Sequence, residues 1–91
     1  CLYHSPTSGR IYFITTSEEG VVAQYDLTLN AAGRIAGEKV REWTVGKCEG
    51  AVADDAAQVV YISEETKGVW RFAAEPDAQT QGKLIAPVGE H

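Results

Sequence analysis

Two stretches of this chain can be laid over one another, and that self-similarity limits its fold more than any other feature. "GRIYFITTSEEGVVAQYDL", starting at Gly9, falls on "AQVVYISEETKGVWRFAA", starting at Ala57. Tyr12 then meets Tyr61, Gly20 meets Gly68 and Tyr25 meets Phe72, a period of about 48 residues. Each copy has an apolar strand, an acidic turn ending in glycine, and a strand carrying an aromatic. A polar turn and a shorter apolar stretch follow in both. Each repeat therefore encodes one four-stranded antiparallel unit.

Four-stranded repeats of this length are the sequence signature of a β-propeller. The expected fold class is all-β, with about two four-stranded antiparallel blades. The first blade is placed over residues 1–46 and the second over residues 47–91. Two blades cannot close a ring, because propellers need roughly four to eight. Alone they would leave apolar blade faces bare. The chain reads as a fragment of a larger propeller or as part of an assembly that completes one. The first blade is expected to lack part of its inner strand, which opens with Tyr3 and His4, and the second to end early.

The strands themselves are marked by β-branched and aromatic residues. They are expected at Arg10–Thr16, at Val21–Leu29, and at Ile35–Val45 with Val40 and Trp43 as anchors. "GAVAD", "VVYIS", "VWRFAA" and "KLIAPV" supply the rest. Turns fall at "SEEG", "NAAGR", "DDAAQ" and "TKG", with a polar loop at "EPDAQTQG". No stretch keeps a helical apolar period. Tyr12, Tyr25, Trp43, Tyr61, Trp70 and Phe72 are expected to pack between blades.

Eight Lys and Arg against thirteen Asp and Glu give a net charge of -5. Such a surface repels nucleic acid and anionic membranes, so neither is an expected partner. No apolar run is long enough to span a bilayer. The chain opens on Cys1 rather than Met and carries no signal segment, which points to a mature or truncated chain. Cys1 and Cys48 allow either two free thiols or one disulfide. With His4 and His91 as the only histidines, neither a zinc site nor a Ser-His-Asp arrangement is supported.

Within "KCEGAVADDAAQVVYISEE", glutamates flank two strands, although acids are poor strand formers. A hairpin of these strands brings Glu49 to the same end as Glu64 and Glu65. Close carboxylates repel, and a hard cation such as calcium compensates them. The alternative is that these are solvated turn residues, as Asp54–Asp55 and Glu18–Glu19 also read.

"LYHSPTSGRIYF", "QYDL", "KVREW", "CEGAVADD", "VYISEE", "GVWRF" and "AEPD" together resemble the β-propeller phytases, over the whole chain and in the family's order. The resemblance implies a six-bladed propeller hydrolysing phosphomonoesters of phytate with calcium, in a secreted or periplasmic protein. It maps two calcium ligands at the channel mouth onto Glu49 and Glu65, making both catalytic through the metal; Glu64, brought to the same end by the hairpin, is expected as a further ligand. Glu19 matches the acid of a substrate-binding Lys-Glu pair, but Glu18 stands where that family has lysine. The family's remaining ligands and phosphate-binding cations fall outside these residues. The chain alone is thus expected to be inactive and to bind calcium weakly. A non-catalytic propeller module is the competing expectation. A propeller lactonase would leave "AEPD" and "VADD" unexplained.

Overall fold

The computed structural model describes residues 1–87. Val88, the end of the expected "KLIAPV" strand, and His91 lie outside the described residues. Eight strands form: β1 (Leu2–His4), β2 (Ile11–Thr16), β3 (Val21–Leu29), β4 (Ile35–Thr44), β5 (Cys48–Asp54), β6 (Val59–Glu64), β7 (Gly68–Ala73) and β8 (Lys83–Pro87). They make two four-stranded sheets, β1-β2-β3-β4 and β5-β6-β7-β8, each an antiparallel meander. No helix occurs among the described residues. The all-β reading holds, and each sheet has the strand order expected of a blade.

Turn chemistry sets these connections. Asn30 Oδ1 accepts from the amides of Ala32 and Arg34, which closes the β3–β4 hairpin. Asp54 Oδ1 accepts from the Ala57 amide, so this acid serves the turn as expected. Asp55 does something else. Its Oδ1 accepts from the His4 amide at 3.1 Å, tying the second sheet to the first.

The core lies between the sheets. Tyr3, Tyr12, Ile14, Val22 and Trp43 of the first sheet pack with Cys48, Val60, Ile62, Phe72 and Ala74 of the second. Trp43 and Phe72 meet with ring centroids 5.3 Å apart. Trp70 is partly buried against this cluster. Tyr25 and Tyr61 are only half-buried and stand apart from this cluster, unlike the buried Tyr12, Trp43 and Phe72. The pleat explains it. Tyr25 pairs with Phe13, and Tyr61 with Arg71 and Val52, so both stand on the outer faces.

Val40 also departs from expectation. It is 38% exposed, while Arg41 and Trp43 are buried at 7% and 6%. Gln24 pairs with Arg41 but Tyr25 pairs with Lys39, so Val40 is the unpaired residue of a β-bulge. Arg41 and Trp43 pair with the buried Gln24 and Val22, so Val40, three residues from Trp43, falls off the inward face by alternation, and the bulge shifts the register only for Lys39 and the residues before it.

Polar groups cross the interface too. Gln24 Nε2 donates to the Ala74 carbonyl at 2.8 Å. Arg41 donates to the carbonyls of Ala73 and Gln79, each at 2.7 Å. The hydroxyl of the fully buried Tyr3 donates to Glu75 Oε2. Burial first, and then Glu75, raise the Tyr3 pKa well above the ordinary tyrosine value. A raised folded-state pKa gives stability that is complete below about pH 10 and is lost as pH rises beyond it. Alkaline unfolding should therefore begin above about pH 10, and Tyr3→Phe should flatten that slope while costing about 1 kcal/mol at neutral pH. Denaturation midpoints of both proteins from pH 7 to 11 check this; parallel curves would reject it.

Cys1 and Cys48 are free thiols. Burial raises the pKa of Cys48, which disfavours its thiolate.

Candidate functional site

The acids singled out in the sequence sit at hairpin ends. In the second sheet, Cys48 pairs with Glu64 and Gly50 with Ser63, which leaves Glu49 as the bulged residue between those pairs. Bulges re-aim side chains, and Glu49 is exposed. Glu64 closes β6 and Glu65 enters the turn to β7. The hairpin thus brings Glu49, Glu64 and Glu65 to one end of the sheet.

The first sheet adds its own acidic turn at that end. The Ser17 carbonyl accepts from the Cys48 amide at 3.4 Å, and the Gly20 carbonyl accepts from the Val45 amide at 2.8 Å. The turn holding Glu18 and Glu19 is therefore bonded to the segment that leads into Glu49. Both of these glutamates are exposed.

The surroundings differ from one acid to the next. Glu65 is exposed, and its Oε2 lies 3.1 Å from Lys47 Nζ. Its amide donates to the Lys47 carbonyl at 2.9 Å, which pins the turn to the entry of β5. Glu64 is only 4% exposed. Its oxygens accept from Trp70 Nε1 at 2.9 Å and from the Thr66 hydroxyl at 2.8 Å.

A calcium ion takes six to eight oxygen ligands. Among the described residues, no three His, Cys, Asp or Glu side chains are grouped to hold a metal. Glu49 and Glu65 fit calcium in donor chemistry, as exposed carboxylates at one sheet end, but they make up only part of a ligand shell. Two features of this end were not legible beforehand. Lys47 had no sequence signal as the partner of Glu65, and the inward fixation of Glu64 depends on Trp70, six residues further on.

A family model described as Phytase matches residues 1–91. The chain belongs to the phytase family. It is 37% identical over 92 residues to the 3-phytase of Bacillus subtilis (strain 168). That alignment covers 99% of this phytase chain and 24% of the Bacillus protein. The chain thus spans about a quarter of the length of that relative.

Proposed function

We propose that this chain is a segment of a six-bladed propeller phytase that hydrolyses phytate with calcium. One observation carries the reading: a segment matching the phytase family over residues 1–91 gathers its turn glutamates at one end. In this reading Glu49 and Glu65 hold the cation and are catalytic through it, and Glu19 faces the substrate from the neighbouring turn. When bound, calcium offsets the repulsion between a polyanionic substrate and an acidic surface and makes a bound water more acidic. The protein's own part is to keep two carboxylates exposed on rigid hairpin ends. Lys47 balances Glu65 until the cation replaces it. A secreted or periplasmic location belongs to the same proposal.

The bare sheet face supports a larger assembly. Leu2, Ile11, Phe13, Leu29 and Ile35 are all at least 43% exposed, and they share the face of the first sheet that is turned away from the second. In the repeat alignment Ile11 and Phe13 correspond to Val60 and Ile62, which are both fully buried. Side chains in the same repeat position are covered where a neighbouring sheet exists.

The test is phosphate release from phytate by the full-length protein carrying this segment. Chelation should abolish release and calcium should restore it. Glu49→Ala and Glu65→Ala should each lower turnover at least about tenfold. The Lys47–Glu65 ion pair favours a second reading, a non-catalytic module whose glutamates are turn residues. Chelator-insensitive release, or full turnover in the double variant, would reject the calcium mechanism; no release at all would favour the second reading.

A further inference from the structure

Among the acids gathered at the sheet end, Glu64 is the buried one. Its carboxylate reaches Trp70 on β7, Thr66 in the turn, and the segment joining the two sheets. At Gly46 an added Cβ would come within 2.5 Å of Glu64 Cδ, so the joining segment passes directly over the carboxyl group. Glu64 thus grips all three pieces of chain that surround the Glu65 turn.

We propose that Glu64 is a positioning residue, whose inward carboxylate fixes the turn so that Glu65 is presented outward beside Glu49. This rests on the reading above that Glu49 and Glu65 hold a cation, and it gives Glu64 a role other than that of ligand. The physical reason is the cost of the alternative. Turning Glu64 out to a metal would strip acceptors from the indole N–H and the Thr66 hydroxyl and open a gap against Gly46. Glu65 needs no such rearrangement, since it is exposed and its amide is already anchored to Lys47. Neighbouring residues at a strand end point to opposite sides, so one acid braces inward while the next faces out.

Three variants of the full-length protein test this: Glu64→Gln, Glu64→Ala and Trp70→Phe. Calcium affinity is read by titration calorimetry, and amide hydrogen exchange over residues 64–68 is read in metal-free protein. A glutamine still accepts from Trp70, and the Thr66 hydroxyl can turn to meet its amide. Glu64→Gln should therefore keep calcium affinity within about threefold. Glu64→Ala and Trp70→Phe should weaken it and speed exchange in the turn, each about tenfold. A direct ligand predicts the reverse: Glu64→Gln as damaging as Glu64→Ala, with Trp70→Phe harmless. That result, or exchange unchanged in all three, overturns the proposal. Should the unmodified protein bind no calcium, the functional reading fails, and the exchange measurement still decides whether Glu64 holds the turn.

Discussion

Replacing Arg41 by alanine should cost about 4 kcal/mol of folding stability. Arg41 is 7% exposed, and its guanidinium bonds across the sheet interface at both ends of its fork. Nη1 donates to the Ala73 carbonyl at 2.7 Å and to Gln24 Oε1 at 3.4 Å, and Nη2 donates to the Gln79 carbonyl at 2.7 Å. The two short bonds are charge-assisted, at about 1.5–3 kcal/mol each. The group also lies 4.2 Å from the Trp43 ring centroid, an attraction of about 1 kcal/mol. Burial lowers the Arg41 pKa and nearby Asp77 acts against that, so the burial cost is met chiefly by carbonyl dipoles. Alanine would leave those carbonyls without their donor at a closed interface. Arg41→Lys should recover only part of the loss, because an ammonium cannot span both carbonyls. Equilibrium denaturation of the three proteins measures this. A loss below about 1 kcal/mol for Arg41→Ala would mean that water replaces the guanidinium and the interface is held by its apolar core alone.

Gly68→Ala should be comparably damaging, at about 4 kcal/mol. Gly68 has φ +126°, a conformation that side chains rarely adopt. Space is the second obstacle. A Cβ there would overlap the backbone carbonyl oxygen of Ala86 and come within 2.9 Å of Pro87 Cα. Both belong to β8, which pairs with β7 through Gly68–Pro87 and Val69–Ala86. Backbone cannot move aside as a flexible side chain would, so β8 would have to detach. Gly33→Ala separates the two effects. Gly33 has φ +78° but nothing within 4 Å of an added Cβ, so only the conformational cost of about 1 kcal/mol applies. Thermal melts should show Gly68→Ala falling far below Gly33→Ala. Equal melting points would show that the β8 edge yields freely.

The strands were legible because their signals are local. "IYFITT", "VVAQYDLTL" and "VVYIS" are β-branched and aromatic runs bounded by glycine and acidic turns, and a residue's preference for a pleated surface needs no distant partner. The acids at one end were legible for the same reason, since an antiparallel hairpin always returns the chain to its start. Val40 shows where this kind of reasoning stops. Its apolar character marks it as an anchor like Trp43, yet the pairing with β3 puts Trp43 and Arg41 on the inward face and leaves Val40 exposed at a one-residue bulge opposite Gln24 and Tyr25. A bulge depends on how two strands meet, and neither strand encodes it alone.

The site divides along the same line. Glu49, Glu64 and Glu65 look alike in sequence, three acids flanking one hairpin, but only Glu64 is sealed inside. Its environment depends on Trp70 and on the Gly46 segment, which the fold brings from either side.

The sequence by itself determined the repeat, the two meanders and the end at which the acids gather, because periodicity and turn chemistry act between residues close along the chain. Only the tertiary structure decided which copy of each repeated residue is covered. Tyr12 is 3% exposed while its counterpart Tyr61 is half-buried, and Phe13 is 43% exposed while its counterpart Ile62 is sealed. Burial belongs to a pair of packed surfaces, and the presence of the second surface is not written in the residues of the first.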